Sequence, residues 1–175
     1  MATKFEFKKS LSGGAERKLL CGAETVIANS VELKVEDAVK WDTDGFIALA
    51  TAGDKVLGIV EGVVDKDGIA IEPDADTLNT YTMASDNETA AAKMKRASID
   101  ISKNSLYKND ASGDLTRTMI GQLFDLTDED QIDQGTASDT SGQFQLIRLD
   151  PDNESDASMG LFKIAESQLD PFTQD

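Results

Sequence analysis

Apolar side chains alternate with polar ones over much of this chain, and this two-residue period constrains the fold more than any other feature. Val31, Leu33 and Val35, for example, are separated by charged residues. Turn signals that contain glycine, such as Asp44-Gly45, Gly53-Asp54 and Asp67-Gly68, recur at intervals of about ten residues. Alternation turns one face of a strand toward a core, and this turn spacing is typical of small barrels and sandwiches.

The same reading predicts most of the secondary structure. Strands are expected at residues 5–7, 31–35, 46–50, 56–60, 69–71, 99–101, 118–124, 143–149 and 161–165. Gly58, Gly62 and Gly121 lie within apolar runs, where glycine indicates bulges or bends. Good helix formers follow candidate N-caps and predict one short helix near residues 87–96. Residues 133–142 are small and polar and predict an exposed loop. Residues 150–158 predict an acidic loop, and residues 170–175 a polar tail.

The predicted fold class is therefore mainly β: an antiparallel small barrel or sandwich with one short helix and a flexible N-terminal arm. The chain has 175 residues, a length that usually makes one domain. We assign residues 1–24 to the arm and residues 25–175 to a single β-rich domain, with a candidate lobe boundary near residues 75–85.

The arm combines a short alternating strand with basic residues and a hinge rich in serine and glycine at residues 10–14. Such a segment either packs as an edge strand of its own sheet or pairs with the sheet edge of a neighbour. We favour the second alternative and expect residues 1–18 to become ordered on a partner. The candidate partner-binding residues are Lys4, Phe5, Phe7, Lys8, Lys9, Arg17 and Lys18.

The chain has no histidine, which excludes Ser-His-Asp and Cys-His catalysis and histidine-ligated metal sites. It also lacks the glycine-rich phosphate-binding motifs. Cys21 is the only cysteine, so it has no partner for an internal disulfide, and a buried or half-buried inert thiol is expected. Carboxylate pairs of the glycosidase type stay open, because 33 acidic residues make close pairs common. We expect no enzyme activity, no cofactor and no metal.

Two further features leave alternatives open. The acids at alternate positions of residues 150–156 resemble a calcium loop, but Ser155 and Leu161 stand where an EF-hand needs glycine and glutamate. A solvated loop is the favoured interpretation. Trp41 follows a strand-like segment, and both a core position and an interface position are open, with the core favoured.

Negative charge increases along the chain, whose formal net charge is -16. Residues 1–40 hold 7 basic and 6 acidic side chains, residues 41–109 hold 7 and 12, and residues 110–175 hold 3 and 15. Nucleic acids and anionic membrane surfaces attract clustered lysine and arginine, so neither is an expected partner. The favoured explanation of the negative charge is solubility, and the more specific alternative is that the protein binds a partner with a basic surface.

The first nine residues carry charge where a signal peptide would be apolar. No apolar run approaches the roughly 20 residues that span a bilayer. We expect the protein to fold in a cytoplasm and not to associate with a membrane.

Residues 45–60 read GFIALATAGDKVLGIV, a run of turn and core residues. This run resembles the one that makes the first hairpins of a barrel in small structural proteins of tailed bacteriophages, and residues 142–149 and 160–168 resemble their closing strands. Such proteins are commonly capsid decoration, or cement, proteins. The resemblance implies a non-enzymatic virion protein that is assembled in the host cytoplasm and binds major capsid subunits on the capsid surface. It implies no functional residues, and a homotrimer would suit a local three-fold axis.

Alternatives from three other classes remain open. A phage tail-tube or head-completion subunit would share the β-rich character and the acidity, but would form hexameric rings. A sugar- or ligand-binding enzyme, or a soluble β-rich ligand-binding module, would need a deep apolar pocket with convergent polar groups. A secreted binding module or fibre domain would need export without a signal peptide.

Overall fold

The computed structural model describes residues 6–10, 19–74, 79–102, 104–150 and 157–165, the first of these ranges by its backbone alone. Thirteen strands lie in these ranges: β1 Glu6–Ser10, β2 Leu19–Leu20, β3 Glu32–Lys34, β4 Ala38–Trp41, β5 Ile47–Leu49, β6 Gly58–Val64, β7 Thr80–Thr82, β8 Arg96–Asp100, β9 Ser105–Asp110, β10 Leu123–Asp128, β11 Gln131–Ser138, β12 Phe144–Leu149 and β13 Met159–Ile164. Two short 3-10 segments, Ala23–Thr25 and Arg117–Met119, complete the described elements.

The strands form three sheets, and all the pairings between them are antiparallel. The first sheet has the order β1-β9-β13-β12-β10-β11, the second β2-β8-β6-β4-β5, and the third contains only β3 and β7. The sheets do not close into a barrel. The mainly β, antiparallel class is confirmed, and the arrangement is consistent with a sandwich.

The five-stranded sheet contributes to two apolar cores because neighbouring residues on its strands point to opposite faces. Ala38 and Ile59 pack in a core shared with the six-stranded sheet, which contributes Phe124, Phe144 and Phe162 among others. The adjacent residues Val39 and Val60 pack instead with the residues that come from the two-stranded sheet, Leu33 and Tyr81. The central strand β6 is therefore buried on both sides, and it reads in the sequence as a continuous apolar run at residues 56–60 and not as an alternation.

A bulge in β6 allows apolar side chains on both sides of it to point toward the same core. The register with β8 shifts between Val60 and Gly62, so that Val60 lies opposite Ile99 and Val63 opposite Ala97. Without the shift, residues 60 and 63 would face opposite sides of the sheet; with it, both join the second core. The bulge predicted at Gly62 is confirmed.

Gly58 and Gly121 are not bulges. Gly58 pairs in register with Val39, and its lack of a side chain allows the backbone of Asp100 to lie close to it. Gly121 has a φ of 93° and ends the turn that follows Arg117–Met119. The predicted strand at residues 118–124 therefore begins only at Leu123.

The helix predicted near residues 87–96 is wrong; turns occupy this segment up to Lys93, and β8 begins at Arg96. The buried side chain of Asn87 explains the difference. Its Oδ1 accepts from the Lys95 amide at 2.8 Å, and its Nδ2 donates to the Lys95 and Ile27 carbonyls at 3.2 and 2.6 Å. A helix would separate residues 87 and 95 by about 12 Å along its axis, so these bonds require a loop.

The exposed loop predicted at residues 133–142 is wrong for residues 133–138, which belong to β11, and is confirmed for residues 139–141, which are exposed and lie outside the strands. β11 pairs with β10 at an edge of the six-stranded sheet. Most side chains of residues 133–138 are half-buried and none is fully buried. A strand of this kind needs no apolar alternation, so its pairing leaves no hydrophobic signal in the sequence.

The N-terminal segment forms an edge strand of its own sheet where the structure describes it. Glu6–Ser10 pairs antiparallel with β9. The expectation that residues 1–18 order only on a partner is therefore wrong for residues 6–10, while residues 1–5 and 11–18 lie outside the described ranges. The candidate lobe boundary meets β7, which pairs with β3 and so joins the same unit. Cys21, expected to be at least half-buried, is exposed.

Candidate functional site

The seven residues predicted to bind a partner are only partly described. Phe7, Lys8 and Lys9 lie on β1 at an edge of the six-stranded sheet, where Phe7 is opposite Tyr107 and Lys9 opposite Leu106. Lys4, Phe5, Arg17 and Lys18 lie outside the described residues, as does most of the acidic segment at residues 150–156 that resembles a calcium loop. The partner-binding role of these seven residues stays a prediction.

A surface cleft of about 430 Å³ lies where β4 ends and where β5 turns into β6. Its lining combines one large aromatic ring with two lysines, two aspartates and a hydroxyl: Lys40, Trp41, Asp42, Thr43, Asp54 and Lys55. We call this group the Trp41 cleft. Trp41 is half-buried and packs against the second core, as the favoured core interpretation expects; its role at an interface stays a prediction.

The turn between β4 and β5 holds one wall of the cleft. Asp42 Oδ1 accepts from the amides of Asp44 and Phe46 at 2.9 and 2.8 Å, while Gly45 has a φ of 85°. The short polar side chain of aspartate favours such a turn, and glycine adopts the positive φ without steric cost. The Asp44-Gly45 turn signal is confirmed, and this turn fixes the backbone at one wall of the cleft.

Asp54 organises the opposite wall. Its Oδ2 accepts from the Lys40 ammonium at 2.8 Å and from the amide and hydroxyl of Thr51 at 2.8 and 2.9 Å. Partial burial acts to raise the pKa of Asp54, but the hydrogen bonds from Lys40 and Thr51 outweigh it and lower the pKa below its ordinary value. Asp54 therefore stays ionised at neutral pH and holds Lys40 beside Trp41.

A buried glutamine ties this wall to the six-stranded sheet. Gln143 Nε2 donates to the carbonyls of Thr51 and Asp54 at 2.9 and 2.8 Å, and its Oε1 accepts from the Leu126 amide at 2.9 Å. The glutamine is fully buried and bridges residues 89 to 92 positions apart in the chain. The Trp41 cleft is therefore held by both sheets and is organised before any ligand arrives.

The chemistry of the cleft is suited to binding. A partly exposed tryptophan flanked by charges of both signs is the kind of anchor that protein interfaces use. Among the described residues, no group of three or more His, Cys, Asp or Glu side chains could hold a metal ion. Sequence reasoning considered Trp41 alone; it missed Lys40, Asp54 and Lys55, although the Gly53-Asp54 turn signal marks where Asp54 and Lys55 lie.

No helix within the described ranges combines the length and apolar character needed to cross a bilayer. No protein-family model, no curated protein sequence and no solved structure matches this chain.

Proposed function

We propose that this protein is a non-enzymatic structural protein of a tailed-bacteriophage virion that binds major capsid subunits on the outside of an assembled capsid. The support is of two kinds. Residues 45–60 resemble the first hairpins of small structural proteins of tailed bacteriophages, which are commonly capsid decoration proteins. The antiparallel β class agrees with this resemblance, but the described sheets do not close into the barrel that it implies. A homotrimer remains the proposed assembly, because it matches a local three-fold axis of a shell.

The position of the Trp41 cleft is the observation that carries the proposal. Asp54 and Lys55, which form one wall, belong to the phage-like run, and Trp41 pairs with Ile47 of the same run. A surface cleft that contains a large aromatic ring supplies a central anchor of the kind that protein association uses in place of catalytic groups. We therefore assign the contact with the capsid to this cleft.

The uneven charge supports a defined orientation on the shell. Residues 110–175 carry 15 acidic and 3 basic side chains, whereas residues 1–40 are nearly neutral. The acidic part is expected to face solvent or a basic surface. Exposed charge pairs contribute about 0–1 kcal/mol each, so charge sets orientation and association rate while apolar burial holds the complex.

A bulky residue placed in the Trp41 cleft is expected to weaken capsid binding by at least about tenfold, as expected when a central anchor is blocked. Thr43 is exposed and lines the cleft, so Thr43→Arg fills it without entering a core. Thr140→Arg makes the same change at an exposed position between β11 and β12 and is expected to bind within about twofold of the parent. The measurement is the number of copies bound to undecorated capsids at a series of protein concentrations.

The same titration repeated with increasing salt is expected to show weaker binding, with the association rate falling first, because screening acts over roughly 8 Å at physiological ionic strength.

Equal loss of capsid binding in Thr43→Arg and Thr140→Arg would contradict the assignment of the contact to the cleft. A parent protein that does not bind mature shells, or that occurs only in tails as a hexamer, would replace the decoration proposal with the tail-tube alternative.

A further inference from the structure

One carboxyl group is buried without full hydrogen bonding at the junction between the two large sheets. Asp37 lies immediately before β4 and is 0% exposed. Its Oδ2 accepts from the Lys34 amide at 2.7 Å, whereas its Oδ1 is buried with no hydrogen-bond partner. A carboxylate oxygen in that condition carries the full cost of its lost hydration.

The turn between β10 and β11 is attached beside this carboxyl group. The carbonyl of Glu129 accepts from the Ala38 amide at 2.8 Å, and the carbonyl of Asp130 accepts from Asn109 Nδ2 at 2.9 Å. Ala38 belongs to the five-stranded sheet and Asn109 to the six-stranded sheet. The turn thus links the two sheets through residues adjacent to Asp37.

The charges around Asp37 are mostly of its own sign. Glu129 and Asp130 face it from the turn and oppose its ionisation, and Lys34 faces it from β3 and favours ionisation. Burial is the largest cause that raises the pKa of Asp130, and the neighbouring Asp128 and Glu129 raise it further.

Two further acids belong to the neighbouring backbone. Glu36 precedes Asp37, and Glu61 follows Val60, whose amide donates to the Asp37 carbonyl at 2.9 Å. Burial is the largest influence on Asp37, and together with the facing acids it raises the pKa of this group to about 7.

We propose that Asp37 is a proton-controlled latch: the neutral acid holds the β10–β11 turn against β4, and loss of its proton loosens this link between the two sheets. A neutral carboxyl group avoids the cost of a buried charge and of repulsion from Glu129 and Asp130. When the carboxyl group is ionised, both the cost of the buried charge and the repulsion decrease if the turn moves away and water enters.

The direction of the pH dependence follows from linkage. The pKa of Asp37 is higher in the folded protein than its ordinary value of 3.8, so the folded state binds the proton more strongly. The stabilisation is complete below the ordinary value, falls as pH rises toward the folded pKa of about 7, and is lost above it. The latch therefore opens in the neutral to mildly alkaline range.

The first test follows hydrogen exchange of the Ala38 amide by NMR between about pH 5.5 and 8.5, corrected for the intrinsic rise of exchange with pH. Protection is expected to fall by at least about tenfold through a midpoint near neutral pH. Asp37→Asn is expected to remove this fall, and Asp44→Asn, which removes one exposed charge from the β4–β5 turn, is expected to keep it.

A second pair of variants leaves Asp37 in place and moves its midpoint in opposite directions. Glu129→Gln removes a facing negative charge and is expected to lower the midpoint; Lys34→Gln removes the positive charge and is expected to raise it. These two variants decide the matter even if Asp37→Asn does not fold. Protection that ignores pH in the parent, or midpoints that do not move in these directions, would overturn the latch.

Discussion

Replacement of Gln143 by leucine is expected to reduce the free energy of unfolding by about 3–5 kcal/mol. Leucine fills a similar volume but cannot donate to Thr51 and Asp54 or accept from Leu126. Each buried group that loses its partner costs about 1–3 kcal/mol. Two groups lose theirs, the Asp54 carbonyl and the Leu126 amide, because the Thr51 carbonyl keeps its bond from the Asp54 amide at 3.1 Å. Chemical denaturation at neutral pH measures this loss, and the melting temperature should fall by about 10 °C.

Gln145→Leu is the matched control, because Gln145 lies on β12 two residues after Gln143 and its side chain makes one bond, from Nε2 to the Gly121 carbonyl at 2.8 Å, in an exposed setting. Its expected cost is below about 1 kcal/mol. Similar losses in the two variants would show that Gln143 does not join the sheets as its hydrogen bonds indicate. Because Gln143 also holds Thr51 and Asp54, its loss should weaken the proposed binding of capsids at the Trp41 cleft as well.

Gly58→Ala is expected to cost about 2–3 kcal/mol or more, because no side chain fits at this position. A Cβ on Gly58 would lie 2.3 Å from the Asp100 carbonyl oxygen and 2.6 Å from Ile99 Cγ2. The carbonyl belongs to the backbone of the neighbouring strand β8, so the two central strands of the five-stranded sheet would have to separate. Equilibrium denaturation measures the cost.

The same strand supplies the control for this change. Gly62 has open space around the position of an added Cβ and no positive φ, so Gly62→Ala is expected to be neutral or to stabilise by up to about 1 kcal/mol. A difference of less than about 1 kcal/mol between the two alanine variants would contradict the close strand approach at Gly58.

Local sequence determined the class of fold and the positions of several strands along the chain. Val31, Leu33 and Val35 predict β3 because alternation depends only on which side of a strand each residue faces. Glycine turns are equally local: Gly45, Gly53 and Gly68 all adopt positive φ where the turn signals stand. The lack of histidine likewise excluded whole classes of site before any fold was known.

Local sequence misjudged segments whose conformation is set by distant groups. Residues 89–96 have good helix propensity, but a short helix gains little on its own, and the buried Asn87 side chain binds Lys95 and Ile27 in a way that no helix allows. β11 carries no apolar pattern, and only its pairing with β10 makes it a strand.

The functional candidates depend most on the tertiary structure. Gln143 and Asp37 look like ordinary surface residues in the sequence, yet both are fully buried, one by contacts with residues about ninety positions away and the other by a turn from the opposite sheet. The spacing of apolar residues along the chain predicts which of them are buried, because that spacing determines which face of a strand they share. The burial of a polar side chain depends on which partners the fold brings to it, and only the packing of the two sheets decided that here.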